Sequence, residues 1–174
     1  RPGLVLLPRL EHRVDAVDPA TGGAVWSARV AAAPTSVRFV DAVALVISDD
    51  IAEAVELRRG RHRWRERLPV TIDLPPVVVG GVLLLAEASG TLCRMDPATG
   101  AIRGGWDVGS AVAGVTTDGQ RLLVTTARPP RLLALSSTGR VHWSADLDEI
   151  DPEPAVAGRW GYLLGGSGRL CVVD

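Results

Sequence analysis

The chain has 174 residues and a net charge of −1, and 47% of its residues are hydrophobic and 22% charged. These values fit a globular protein with one sizeable core, and they argue against a general attraction to nucleic acid or to an acidic membrane surface. No apolar run is long enough to span a bilayer, because the longest, residues 77–86, is interrupted by Gly80 and Gly81. All 19 basic residues are arginine, which indicates a GC-rich bacterial genome and leaves the cellular compartment open.

Four segments along the chain repeat one pattern, a turn that ends in glycine and is followed by a tryptophan. The turn glycines and the tryptophans of the four copies are Gly22, Gly60, Gly100 and Gly139, and Trp26, Trp64, Trp106 and Trp143. The glycines lie 38, 40 and 39 residues apart by subtraction of their numbers. A period near 40 is typical of a four-stranded propeller blade.

Short apolar runs separated by glycine and proline turns predict only strands, and no segment has a sustained helical period. The expected strands, in chain order, are 3–8, 12–18 and 24–30; 35–40, 43–48, 52–57 and 61–68; 76–80, 82–87, 91–96 and 101–108; 112–117, 121–126, 131–136 and 140–146; and 155–158, 161–165 and 169–174. We therefore expect one repeat domain over residues 1–174, with blades at 1–31, 32–70, 71–109, 110–148 and 149–174.

Residues 16–26 read Ala-Val-Asp-Pro-Ala-Thr-Gly-Gly-Ala-Val-Trp, and the copy that begins at residue 94 keeps the Asp, Thr and Gly of this segment. The pattern resembles the tryptophan-docking motif of the quinoprotein alcohol dehydrogenases, the PQQ-like β-propeller repeat family, and of its cofactor-free branch. The resemblance implies an all-β propeller of four-stranded antiparallel blades. It also implies that the four tryptophans pack between neighbouring blades, together with the turn glycines, Asp18 and Asp96.

The expected strands make three full blades and two partial blades. A ring of seven or eight blades at about 40 residues each would need roughly 280 to 320 residues. We therefore expect the chain to be a fragment of such a propeller, with closure of a five-bladed ring as the alternative.

The resemblance also implies where a cofactor would lie. The quinone enzymes hold their cofactor on the propeller axis with a calcium ion and, in many, a disulfide between adjacent cysteines. Here Cys93 and Cys171 are 78 residues apart and follow the glycines of equivalent turns, at Gly90 and Gly168. Equivalent places two blades apart should exceed the ~7 Å limit for a disulfide. We expect reduced cysteines, no bound cofactor and no metal site.

The most unusual segment is Arg-Arg-Gly-Arg-His-Arg-Trp-Arg-Glu-Arg at residues 58–67. Strand alternation predicts that one face carries Arg61, Arg63, Arg65 and Arg67, with Trp64 on the other. These charges on an outermost strand would block edge-to-edge aggregation. The alternative is an interaction stripe for an acidic partner, a lipid headgroup or a phosphate backbone, although no aromatic residues for stacking bases are interleaved.

Other candidate residues point to ordinary structure. Trp160 lies outside the docking pattern, and we expect either core packing or an exposed aromatic in a loop or channel. Residues 146–153 are acidic but lack the order of a calcium loop, and residues 165–168, Gly-Gly-Ser-Gly, read as a hairpin. The histidines are scattered without metal-ligand spacing; they are His12, His62 and His142.

Three functions remain open at this point. The favoured interpretation is a non-catalytic propeller that acts as a protein-interaction, scaffold or ligand-sensing domain, with another protein as partner and no nucleic acid. The second is a piece of a PQQ-dependent dehydrogenase, whose calcium ligands and adjacent cysteines would lie in other blades. The third is another propeller enzyme, a lyase or a hydrolase, for which the sequence offers no catalytic residues.

Overall fold

The computed structural model describes residues 3–69, 71–72, 74–147, 154–157, 160–164 and 170–173. Within these residues there are eighteen strands in five antiparallel sheets, and within each sheet every strand pairs with the strands adjacent to it in the sequence. The fold class predicted from the repeat is therefore confirmed. Every predicted strand is present, with its ends within two residues of the expected positions.

The chain divides into two compact units. The first comprises Arg1–Ile72 and the short segment Pro97–Ala101. Its three-stranded sheet contains β1 (Val5–Arg9), β2 (Arg13–Val17) and β3 (Ala24–Arg29). Its four-stranded sheet contains β4 (Ser36–Val40), β5 (Val43–Ser48), β6 (Ile51–Glu56) and β7 (His62–Arg67).

The second unit comprises Asp73–Asp96 and Ile102–Asp174. It contains two four-stranded sheets and one three-stranded sheet. The strands of these sheets are β8 (Val77–Val79), β9 (Val82–Ala86), β10 (Thr91–Met95) and β11 (Ile102–Asp107); β12 (Val112–Thr117), β13 (Leu122–Ala127), β14 (Pro130–Leu135) and β15 (Val141–Asp146); and β16 (Ala155–Ala157), β17 (Trp160–Leu164) and β18 (Leu170–Val173).

Burial within a blade follows the order of its strands. All six residues of β5 are buried, whereas β7 has five exposed residues and only Trp64 is half-buried. The inner strands therefore read as continuous apolar runs, and the outermost strands carry charge on an edge that faces away from the core.

The cores lie between consecutive sheets of each unit. In the first unit, Val14 and Ala16 of β2 pack with Ala44 and Val46 of β5. In the second unit, Leu84 and Leu92 share a cluster with residues of β12–β14, and Leu132 shares another with Leu163. A single blade cannot bury both of its faces, so consecutive blades supply each other with an apolar surface.

Candidate functional site

Trp26 joins the first blade to the turn of the second. The side chain extends from β3, is 8% exposed, and donates a 2.7 Å hydrogen bond from Nε1 to the carbonyl oxygen of Leu57. Its ring lies flat against Gly60, where a Cβ atom would come within 2.9 Å of the ring carbons. Gly60 also has a φ of +67°, a backbone conformation that residues other than glycine adopt only at an energetic cost.

Trp64 makes the same arrangement one blade later, within the first unit. Its Nε1 donates to the carbonyl oxygen of Pro97 at 3.0 Å, and its ring covers Gly100. In both cases the accepting carbonyl belongs to the residue three positions before the covered glycine. The indole therefore bonds to the turn backbone as well as packing on it.

Trp106, in the second unit, keeps the packing but loses the hydrogen bond. Its ring covers Gly139, where a Cβ atom would lie 2.6 Å away, yet its buried Nε1 has no acceptor among the described residues. The cause is a turn one residue shorter than the others. The Gly60 amide bonds to the Glu56 carbonyl four residues back, whereas the Gly139 amide bonds to the Ser136 carbonyl three residues back. The carbonyl oxygen three positions before the covered glycine, that of Ser136, accepts from the Gly139 amide and not from the indole.

The strand pairing explains why Trp106 follows its turn glycine by six residues, whereas the other three tryptophans follow theirs by four. A register shift lies between the last two strands of every full blade and of the first sheet. The tryptophan pairs with an alanine three times, at Ala16, Ala54 and Ala134, but Trp106 pairs with Leu92. Gly105 beside it permits this, because a Cβ atom there would lie 2.3 Å from the Leu92 carbonyl oxygen.

The remaining residues of the docking pattern serve their own turns. Asp18 accepts a hydrogen bond from the Ala20 amide at 2.9 Å, and Asp96 forms an ion pair with Arg103 at 3.0 Å. Gly22 has a φ of +69°, and nothing lies within 4 Å of the position of its Cβ. Trp143 is half-buried against the cluster of Leu132 and Leu163.

Asp15 of β2 and Glu53 of β6 are buried acidic residues at equivalent positions of the first two blades, and each one binds an arginine. Asp15 is 8% exposed and accepts hydrogen bonds from Ser27 at 2.7 Å and Arg9 at 2.9 Å. Burial by itself raises the pKa of Asp15, but Ser27, Arg9 and the nearby Arg13 outweigh it and hold the pKa below its usual range. An ionised carboxylate with these partners costs little to bury.

Glu53 is the counterpart of Asp15 in the second blade. It is 1% exposed, accepts from the Ala31 amide at 2.7 Å, and forms an ion pair with Arg65 at 2.7 Å. His62 lies 3.6 Å away through Nδ1, while its Nε2 donates to the Arg29 carbonyl oxygen at 2.6 Å. The sequence carried a signal for this group, a single glutamate inside the apolar strand β6, but its partners required the strand register.

The arginine stripe differs from the expectation in two ways. Arg65 and Arg67 are neutralised by Glu53 and Asp50, the latter at 2.6 Å. The register shift between Ala54 and Val55 also interrupts strict alternation, and it brings His62 to the same acidic group as Arg65. Arg61 and Arg63 are exposed and form no ion pair with any described residue. The four arginines are therefore not one uniform stripe.

Other predicted residues are placed as follows. Trp160 begins β17 and is 39% exposed. Neither cysteine is in a disulfide, as expected; Cys93 is buried, which raises the pKa of its thiol, and Cys171 is exposed. Most of the acidic segment at 146–153 and all of 165–168 lie outside the described residues.

The described part of the chain offers no compact chemical centre. No three His, Cys, Asp or Glu side chains among the described residues come together as a metal site would require. A cavity of about 390 Å³ lies beside the β1–β2 hairpin, and Arg9, Leu10, Glu11 and Arg13 are among the residues that line it. No helix in this part of the chain is long and apolar enough to cross a membrane.

Both the repeat pattern and the fold occur in known proteins. A family model described as outer membrane protein assembly factor BamB matches residues 10–106 and 103–174. The solved structure of BamB from Moraxella catarrhalis is 23% identical with a TM-score of 0.76, and the match covers 97% of this chain. The computationally designed protein Ika8 is 13% identical with a TM-score of 0.76, and the match covers 99% of this chain.

The chain is shorter than these two proteins. The matches cover 54% of the Moraxella protein and 55% of the designed protein, so the chain spans about half the length of each. No curated protein sequence matches it.

Proposed function

The chain belongs to the BamB family of PQQ-like β-propeller repeat proteins, and from this premise we propose that it is a non-catalytic scaffold that holds a partner protein in an assembly. The observation that carries the proposal is the family match over residues 10–174, because the family is described as an assembly factor. The fold is suited to this role. Within the first unit, the Trp26 ring and its hydrogen bond fix the first blade to the turn of the second, so the surface residues of that turn are presented on a rigid support.

The proposed contact surface lies on the outer strands and turns of the blades. These strands are mostly exposed, and β7 is also rich in charge, with four charged residues and one histidine among its six. Trp160, which is 39% exposed, is a further candidate contact, since aromatic residues contribute strongly to protein interfaces.

The test begins with cross-linking. The chain would carry a photo-reactive amino acid in place of exposed Val141, in the outermost strand β15, and would be cross-linked in its own cells. The partner identified by mass spectrometry would then be purified and titrated with the chain by calorimetry. A saturable complex with about one partner per chain is the expected result.

The same calorimeter tests the dehydrogenase alternative. Pyrroloquinoline quinone and calcium would be titrated into the folded chain. We expect no saturable heat from the quinone. Saturable quinone binding together with failure of every cross-linked partner to bind would reject the scaffold and favour a dehydrogenase piece.

A further inference from the structure

Four exposed arginines lie in the turn between β6 and β7 and at the start of β7. Arg58, Arg59, Arg61 and Arg63 are all exposed, and none forms an ion pair with any described residue. We call these four residues the arginine turn. The next two arginines along the strand, Arg65 and Arg67, are both paired with carboxylates, so the free positive charge is concentrated at one end of the segment.

The corresponding turns of the other blades contain hydrogen bonds from turn amides to side chains. In the first blade Asp18 and Thr21 accept hydrogen bonds from turn amides, and in the third blade Thr99 does so. In the fourth blade the Ser136 hydroxyl accepts from two amides, at 3.2 and 3.1 Å. Such side-chain bonds stabilise tight turns.

The second blade has none of these bonds. Glu56 and Arg59 stand where the first blade has Asp18 and Thr21, and the turn is closed by backbone bonds alone, from Gly60 to Glu56 and from Glu56 to Arg61. Arg59 therefore adds a positive charge at the position where Thr21 of the first blade accepts a hydrogen bond from a turn amide.

Protection of the sheet edge accounts for Arg63, which lies in β7, but not for the other three arginines of the arginine turn. Edge protection requires charge on the strand, and β7 begins at His62. Arg58, Arg59 and Arg61 precede the strand and cover no exposed ladder of backbone groups. Arg63, Arg65 and Arg67 already give the edge three charges without them.

Trp26 of the first blade fixes the backbone of the arginine turn. The ring of Trp26 packs on Gly60, and its Nε1 bonds to the carbonyl oxygen of Leu57, the residue before Arg58. The backbone that carries the arginines is therefore fixed to the neighbouring blade. The entropic cost of ordering that backbone when a ligand binds is therefore small.

We propose that the arginine turn binds an acidic segment of the partner protein. This inference rests on the proposed scaffold function and names the chemistry of its docking site. Guanidinium groups match carboxylates in a two-point geometry, and four of them within six residues suit a peptide with several acidic side chains. The nearby acidic residues, half-buried Glu56 and exposed Glu66, are outnumbered by the arginines.

The surroundings favour a protein over other polyanions. Among the described residues beside the turn, the aromatic rings are already engaged. Trp26 packs on Gly60, Trp64 packs on Gly100, and the His62 ring bonds to the Arg29 carbonyl oxygen, so none is placed to stack on bases. The chain as a whole is slightly negative, with a net charge of −1, so it would not be drawn to a long polyanion or a strongly anionic membrane.

The experiment measures binding of a fluorescein-labelled peptide of ten glutamates to the full chain by anisotropy at low salt. The test variant carries Arg58→Gln, Arg59→Gln, Arg61→Gln and Arg63→Gln. The control variant has the same change of charge at four other exposed arginines without ion pairs, Arg29→Gln, Arg38→Gln, Arg128→Gln and Arg140→Gln. We expect the Kd to rise at least about tenfold in the test variant and less than about twofold in the control.

Thermal melts followed by circular dichroism show that both variants are folded, and a variant with lysine at the same four positions keeps the charge if the glutamine variant does not fold. The lysine variant should bind between the wild type and the glutamine variant, because it keeps the charge but loses the two-point geometry. Binding of the wild type should weaken as salt rises, since the Debye length falls to about 10 Å at 0.1 M.

Three results would overturn the proposal. One is an equal loss of peptide binding in the test and control variants. Another is tighter binding of a ten-nucleotide DNA strand or of phosphatidylglycerol vesicles than of the peptide. The third is a cross-linked partner that binds the glutamine variant as tightly as the wild type; this result would leave the scaffold function standing and reject only the docking site.

Discussion

The glycine beneath each indole ring has two separate physical reasons to be glycine. Gly60 has a positive φ, and it also lies in contact with the ring of Trp26. Gly22 has nearly the same φ, +69° against +67°, but no atom lies near the position of its Cβ. The chain therefore contains a matched pair that separates backbone strain from ring contact.

We expect Gly60→Ala to lower the free energy of unfolding more than Gly22→Ala does. Both variants pay about 1–2 kcal/mol for a left-handed alanine. Gly60→Ala alone also forces the Trp26 ring away, at about 1–3 kcal/mol more. Urea denaturation of the two variants measures the difference, and equal losses would show that the ring moves aside without cost.

Asp15 should make the stability of the chain depend on acid. Its folded-state pKa is lowered, so its contribution is fully present above the unfolded pKa of about 3.9 and is lost as pH falls through the lower folded value. In Asp15→Asn the free energy of unfolding should therefore fall less steeply between about pH 5 and pH 2. Exposed Asp41→Asn is the control, and an unchanged slope in Asp15→Asn would contradict the assignment.

Much of the residue-level structure could be predicted, but not the pairing of charges. The Asp-Pro-Ala-Thr-Gly turns and the tryptophans gave the blades and their strands, because a turn needs those residues at fixed offsets. The partners of Glu53 could not be predicted, since a bulge in the middle of β7 changes which side chains face it. The ion pairs of Arg65 with Glu53 and of Arg67 with Asp50 likewise depend on how β7 lies beside β6, which the sequence of the stripe alone does not show.

At the level of the element, one residue in a turn decides whether an indole in another blade is satisfied. The turn that contains Gly139 is one residue shorter than the turn that contains Gly60, and Trp106 loses its acceptor as a result. The sequence shows that the fourth copy of the repeat is one residue shorter and that Trp106 lies two residues further from its turn glycine than the other tryptophans do. Their connection required the hydrogen-bond geometry.

Replacing residues 136–139 by Asp-Pro-Ala-Thr-Gly, the turn of the first and third copies, should supply the missing carbonyl to Trp106. We expect the free energy of unfolding to rise by about 0.5–1.5 kcal/mol, the usual value of one hydrogen bond. The control is the same replacement in a Trp106→Phe background, where this gain should vanish. A gain that persists with phenylalanine would mean that the turn itself, and not the indole bond, was improved.

At the level of the whole molecule, protection from solvent follows strand order within each blade. The second strands β5, β9 and β13 are almost entirely buried, and the outermost strands β7, β11 and β15 are mostly exposed. The repeat predicted this gradient in outline, because its apolar runs coincide with the second strands.

Amide hydrogen exchange should reproduce that gradient. Amides of β5, β9 and β13 should exchange most slowly, since they are paired on both sides and opening them exposes the core. Amides of the outermost strands should exchange faster, because one edge of each has no partner strand among the described residues. Mass spectrometry of peptic peptides would measure both sets, and uniform protection across a blade would contradict the expectation.

The bond between one blade's indole and the next blade's turn has a consequence for gene shuffling. A single sheet moved to a new position would carry a tryptophan without the glycine on which it packs, and a turn glycine without the tryptophan that covers it. The segment that can be exchanged intact runs instead from β3 through β4, β5 and β6 to the turn at Gly60. It therefore carries both the Trp26 ring and the glycine on which the ring packs. Recombination breakpoints placed directly after the turn glycine of successive blades should therefore give folded chimeras more often than breakpoints placed between sheets.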